Sequence, residues 1–574
     1  MRKALRPPAA KTGSGAPPPT PGLRARPPTP GLGATLAELR FEERLRLYRL
    51  AKRTLAALAV AILILILILL LLVTGSAQPA PATGAASILP SDALAYVHVS
   101  TDTSRPAVDR ALALTARFPG YPLLRAAFVS RLNALDGGPS TIDFAREVRP
   151  WLGKEAALAL LSTGGATGSL IVLDVADHAR ALSFLIKAGA RPAYRYGGAT
   201  LLRYRSGTEV AFVSHYLAIG QDASVRAAID AGAGRGPSLQ SNPSYQRAAA
   251  GEPADRVLDA YASAAGVRRL LASRQGVAGA LGVLLEQPAL LGSTVSVSAV
   301  TGGARVRLHS ALDSSLSGSS GSSGGFQPTL QSAIPAGSAL LLDVNGLERA
   351  VPRVLAAAAA GGVAQNFAPL LRRLGTTLGA NGVDLQKILS IFGRETAVAI
   401  TANGRSPALV LVARTADEDR VKAQLAGLEV PLARAFPAPA SGPGQAPEFN
   451  DVAVAGITAH QLSLTPGLQL DYAVFDNLVV VSTSLHGIAA VVNHVRPLGS
   501  DSSYETTLKD APQQVSSLLF GDFSQLLSVG EQTGLLHGAR YQAMRADLER
   551  ISAIGLYSTA GQADSTAELF LQIP

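Results

Sequence analysis

The chain has 574 residues, too many for one ordinary domain, and a formal net charge of +10. Residues 1–53 hold 12 Lys/Arg against 3 Asp/Glu, and the rest of the chain is close to balanced, which argues against nucleic-acid binding. Cysteine is absent, so thiol catalysis, Cys-ligated zinc, disulfides and a lipidated Cys anchor are excluded, and stability has to come from core burial.

In chain order, residues 1–34 are rich in Pro, Gly and basic side chains and are expected to be a disordered cytoplasmic tail. The segment PTPGL occurs there twice, at Pro19–Leu23 and Pro28–Leu32. Residues 35–53 read as a basic juxtamembrane helix, with Glu42 and Arg46 spaced for an i,i+4 pair. Leu55 to Val73 (LAALAVAILILILILLLLV) is an unbroken apolar run with no charge and no helix breaker. At about 1.5 Å per residue it reaches roughly 28 Å, close to the ~30 Å hydrocarbon core of a bilayer. The sequence therefore predicts a transmembrane helix over residues 54–74, with the lipid bilayer as its partner. Six basic residues (Arg40, Arg44, Arg46, Arg49, Lys52, Arg53) precede it, and the first basic residue after Val73 is Arg105. The positive-inside rule then puts the N-terminus in the cytoplasm and the remainder outside the cell membrane. The cluster Arg40–Arg53 is suited to anionic headgroups. Gly75-Ser76-Ala77 offers small residues for signal-peptide cleavage, but the apolar run exceeds the usual 7–15 residues, so an uncleaved anchor is expected. Residues 75–87 form a tether.

Beyond the tether the sequence repeats itself. ILPSDALAYVHVS at Ile88 matches AIPAGSALLLDVN at Ala333, and WLGKEAALAL at Trp151 matches IFGRETAVAI at Ile391. LIVLDVADHAR at Leu170 matches VLVARTADEDR at Val410, and SNPSYQ at Ser241 matches SDSSYE at Ser500. Copy one is assigned to residues 88–316, a Ser/Gly linker to 317–325 and copy two to 326–574. The expected fold class is α+β: a single N-terminal transmembrane helix, then two tandem duplicated α+β domains. Each would have an antiparallel or mixed sheet with helices on one face, closing in the hairpins Val295–Leu308 and Ala553–Leu571. Asp177, Asp417, Asn242 and Asp501 are expected N-caps. Gly153 and Gly393 are expected to need positive φ.

Chemistry is sparse. None of the eight histidines (His98, His178, His215, His309, His460, His486, His494, His537) shows metal-ligand spacing. There is no Walker motif and no GxGxxG after a strand. The one GxSxG match, Gly321–Gly325, lies in the linker and not at a strand-to-helix elbow. Across the copies His98 pairs with Asp343, Asp174 with Arg414 and Lys154 with Arg394, so no set of acid, base and nucleophile recurs. No catalytic, cofactor-binding or metal residue is assigned. The expectation is a non-enzymatic module that binds an envelope ligand or protein partner; the alternative is an envelope hydrolase with a site in one copy only.

The opening LPSDALAYVHVS, the WLGKE turn and the anchored layout resemble the bacterial domain-of-unknown-function family numbered 3352, over roughly residues 88–574. Copy two departs from it, with Ala336-Gly337-Ser338 in place of Ser91-Asp92-Ala93. The resemblance implies a membrane-anchored envelope protein of unassigned activity and supplies no catalytic residues.

Overall fold

Strand pairing decides the architecture. The computed structural model describes residues 80–120, 144–163, 166–272, 288–316, 325–347, 385–401, 407–435, 448–465, 468–493, 496–532 and 538–574, with 376, 379–380, 382 and 536. The segments expected to form the tail, the juxtamembrane helix and the membrane span (Leu55–Val73) lie outside these, as does linker 317–324. Among the described residues no helix is long and apolar enough to cross a membrane.

Copy one contributes β1 (Ala95–Ser100), β2 (Leu152–Thr163), β3 (Ala166–Val175), β4 (Arg191–Tyr196) and β5 (Ala199–Arg203). It continues with β6 (Glu209–Val213), β7 (Tyr216–Gly220), β8 (Arg256–Ser263), β9 (Leu290–Val300) and β10 (Gly303–Leu312). Copy two contributes β11 (Ser338–Asn345), β12 (Glu395–Thr401), β13 (Ala408–Arg414), β14 (Phe449–Val454) and β15 (Ile457–Thr465). Its remaining strands are β16 (Leu468–Phe475), β17 (Leu478–Ser482), β18 (Ser517–Asp522), β19 (Ala553–Ala560) and β20 (Asp564–Gln572).

Among the described residues every strand pairing is antiparallel. From one edge the order in copy one is β4-β5-β6-β7-β3-β2-β1-β8-β9-β10. From the other edge, copy two repeats it as β14-β15-β16-β17-β13-β12-β11-β18-β19-β20. β10 pairs with β20 and joins the copies into one 20-stranded sheet. Arg307 lies opposite Glu568 at this seam. Within their own hairpins Arg307 faces Ser296 and Glu568 faces Tyr557, which are matching positions. A pseudo-two-fold axis therefore passes between Arg307 and Glu568, whose side chains approach to 3.8 Å.

Both faces of the sheet are covered in both copies. On one face of copy one, Val99, Ala156 and Leu217 pack with helices Pro106–Thr115 and His178–Lys187 through Ala107, Ala181 and Leu185. On the other, Tyr96, Ala157 and Ala218 meet Val225, Ala228 and Ile229 of helix Asp222–Gly232, and Ala248 of helix Pro243–Ala248. In copy two Leu341, Ala397 and Val480 pack under helices Leu485–Val492 and Ser502–Leu508. Ala413 and Val479 pack under helix Glu418–Ala435. Two-sided burial explains why strands such as YLAIG and LVVVS read as continuous apolar runs and not as alternating ones.

These observations correct the expected fold class. There is one antiparallel sheet with helices on both faces, not two α+β domains with separate antiparallel or mixed sheets and helices on one face. The reason is the seam, because the closing hairpin of each copy offers a free strand that the other copy pairs. The expected hairpins are present as β9–β10 and β19–β20. The expected caps are present too: Asp177 accepts from Arg180 N at 3.0 Å and Asp417 from Arg420 N at 3.0 Å. Gly153 is not among the positive-φ residues. A Cβ there would come within 2.1 Å of the Asp174 carboxylate, which receives the Lys154 N–H at 2.6 Å. Close approach, not backbone handedness, requires this glycine.

Candidate functional site

A cavity of about 480 Å³ opens in copy one between the sheet and helix Asp222–Gly232. Ser91 and Asp92 come from the opening turn, Leu161 and Ser162 from the end of β2, Asp230 from the helix and Pro237 from the loop beyond it. Backbone bonds fix the rim: Ser91 N donates to Pro237 O at 3.0 Å, and Leu239 N to Leu89 O at 2.7 Å. Asn242 Nδ2 donates to Ser91 O at 2.7 Å while its Oδ1 caps the next helix through Ser244 N and Tyr245 N. The Asp230 carboxylate accepts from Tyr196 Oη and from Arg235 Nε, both at 2.8 Å. The lining thus mixes carboxylates and hydroxyls with small apolar surface, a composition suited to a small polyhydroxylated ligand.

Deeper in copy one, and apart from that cavity, runs a chain of buried ionisable groups. His98 on β1 is fully buried and faces Asp259 on β8. Its Nδ1 is 2.9 Å from Asp259 Oδ1, and its Nε2 is 3.5 Å from Glu155 Oε2 on β2. Arg256 Nε reaches Asp259 and Glu252, each at 3.0 Å. Glu155 Oε1 accepts from Tyr216 Oη at 2.5 Å and from Ala85 N at 3.2 Å. Burial opposes charge on His98, but Asp259 and Glu155 outweigh it and raise its pKa. Burial likewise opposes ionisation of Asp259, but His98 and Arg256 hold its carboxyl below the usual range. Glu252 has to share Arg256 with Asp259, and burial with that like charge pushes it up to about 7.

Copy two keeps the frame and drops the partners. Asp343 occupies the place of His98 on β11, and Leu518 occupies that of Asp259. Neither carboxylate oxygen of Asp343, a fully buried residue, makes a well-formed hydrogen bond. Burial, then the neighbouring Glu395, pushes Asp343 up to about 9. Glu395 stands in the place of Glu155 and is capped alike, by Thr329 N and by Leu330 N at 2.8 Å from the turn before β11. Asp471 on β16 matches Glu209 on β6, since they pair with Ser482 of β17 and Gly220 of β7, which in turn pair with the matching residues Val410 and Leu170. Glu209 bonds Arg203 and Tyr194, whereas both oxygens of the fully buried Asp471 lack a well-formed bond. Burial pushes Asp471 up to about 6.

The pairing of His98 with Asp343 read from the repeat is thus a true structural equivalence, but Asp259 was invisible as its partner, being far along the chain. The recurring Glu155 and Glu395 were also missed; the signal was a carboxylate at the same place in KEAA and RETA, at the head of an apolar strand. Elsewhere His460 Nδ1 lies 2.9 Å from Asp451 and 3.1 Å from Glu429, with its ring stacked on Tyr472. Among the described residues no group of three or more His, Asp or Glu is arranged to hold a metal ion.

A family model described as "Protein of unknown function (DUF3352)" matches residues 54–573. The chain belongs to this family. No curated protein matches. Part of the chain is similar to solved structures of the protein TP0453. Its crystal form I is 12% identical with a TM-score of 0.23, over 42% of this chain and 80% of that one. Crystal form III is 13% identical with a TM-score of 0.24, over 42% and 81%.

Proposed function

We propose that this DUF3352 chain is a single-pass, membrane-anchored envelope protein whose extracytoplasmic sheet binds a hydroxylated ligand, such as a glycan, in the copy-one cavity. The cavity beside the opening turn carries the reading: its rim is tied by backbone bonds, and Asp92, Asp230, Ser91 and Ser162 give it acceptors and hydroxyls. Binding is favoured over hydrolysis because Asp230 is already committed to Tyr196 and Arg235, which leaves it a positioning partner and not a free acid. The anchor and its orientation rest on the apolar run and the basic cluster before it.

The test is thermal unfolding of the full chain in detergent, with wall-derived oligosaccharides or with phospholipid added. A saccharide should raise the melting temperature in a concentration-dependent way, and Asp92→Asn or a cavity-filling Ala227→Phe should diminish the rise. No saccharide effect, or an equal effect in both variants, would refute the reading.

A further inference from the structure

We propose that copy two contains a proton-operated latch: it stays closed while Asp343 and Asp471 are protonated and loosens as they ionise. The geometry comes first. Both residues are fully buried in the face of the sheet that packs under helices Leu485–Val492 and Ser502–Leu508. A buried carboxylate needs a close cation or several donors. Among the described residues none of the four oxygens makes a well-formed hydrogen bond. Arg414 and the Val344 amide favour the charged form of Asp343 only weakly against burial and Glu395, and the Gln461 side chain does the same for Asp471 against burial. The groups around Asp343 can be named element by element. β18 offers Leu518 and β12 offers Ala397 directly opposite it. Glu395, also on β12, is a second acid, and its charge is already taken up by Thr329, Leu330 and, at 3.8 Å, Arg414 of β13. The overlying helix supplies Tyr504, whose hydroxyl is pushed up by burial and by Asp343. Asp471 faces Gln461 on β15 and Ser482 on β17, and no charged group acts on it.

The sign follows. A carboxyl whose folded pKa is raised favours the folded state most below its unfolded value of 3.8 and loses that contribution as pH rises to the folded value. For Asp343 the window runs from about 4 to about 9, and for Asp471 from about 4 to about 6. Within each window the local opening constant should rise about tenfold per pH unit for each group. Among the described residues copy one has no carboxylate with both oxygens unpartnered: His98, Asp259 and Arg256 neutralise one another, Glu252 shares Arg256, and Glu209 has Arg203 and Tyr194.

The experiment is hydrogen exchange of the full chain in detergent from pH 5 to pH 8, corrected for the intrinsic pH dependence of exchange. Peptides from β11, β16 and the two overlying helices should lose protection steeply, those from β6, where Glu209 is paired with Arg203, much less. Asp343→Asn with Asp471→Asn should flatten the copy-two response. Infrared spectra at pH 8, where Glu252 is mostly ionised and Asp343 is not, should show a protonated carboxylic acid signal that Asp343→Asn removes, a reading that also serves if the double variant folds poorly. Equal protection at both pH values, an unchanged response in the variant, or absence of the acid signal would overturn the proposal. So would protection at pH 8 restored by sodium or calcium ions in the parent but not in Asp343→Asn, because a cation would then be the occupant.

Discussion

The two copies solve the same burial problem in different ways. At one position of the shared frame, copy one places His98 against Asp259 and Arg256, so that each charge has an opposite neighbour. Copy two places Asp343 against Leu518, beside a second acid, Glu395, and leaves both its oxygens without a well-formed hydrogen bond. Topology is common to both, so the difference is purely one of side-chain chemistry. It teaches that a duplicated fold does not preserve ionisation behaviour. His98 contributes stability that is complete below about 6.5 and is lost as pH rises through its raised value. Asp259 contributes stability present above about 3.8 and lost as pH falls through its lowered value. The pair of His98 and Asp259 is thus served between those limits, whereas Asp343 is best served in acid.

The strongest way to break the comparison is Asp259→Ala, which takes the shared carboxylate from two buried cations and leaves His98 with Glu155 at 3.5 Å and Arg256 with Glu252 at 3.0 Å. A cost of about 3–5 kcal/mol is expected from urea unfolding, whereas His98→Leu with Asp259→Leu, which imitates the apolar neighbourhood of copy two, should recover at least half of it. A smaller effect compares two caps. Asn242 holds both its own helix and the cavity rim at Ser91, while Asp501 bonds only Ser503 N and Tyr504 N. Asn242→Ala should cost about 1–2 kcal/mol and weaken saccharide binding, against about 1 kcal/mol for Asp501→Ala in the same unfolding assay. The smallest effect is at the seam, where Arg307→Glu would set like charges across the axis. A loss of about 0.5–1 kcal/mol, reversed by adding Glu568→Arg, is expected in denaturation midpoints.

Much of the repeat was legible because its signals are local. Asn242-Pro243 and Asp501-Ser502 announce capped helices, and the apolar runs at Leu170 and Val410 announce buried strands. What stayed hidden depends on pairing between distant segments. His98 and Asp259 meet across β1 and β8, and nothing in either stretch names the other. The fold class went wrong for a similar reason: each closing hairpin reads as the end of a domain, and only the register of β10 on β20 shows that it is a junction. Gly153 was rightly picked out, but its cause, the Asp174 carboxylate from a neighbouring strand, is again non-local. The cavity left no motif, since its lining comes from four separate segments.

The seam also orders events during synthesis. β10 leaves the ribosome long before Asp564–Gln572, so its outer row of amides and carbonyls has to wait while the whole of copy two is being made. A ribosome stalled, or a message cut short, just before Asp564 would release a chain with that row still open, which is a template for aggregation. The nine residues of β20 are in this sense the clasp that closes the open row of β10.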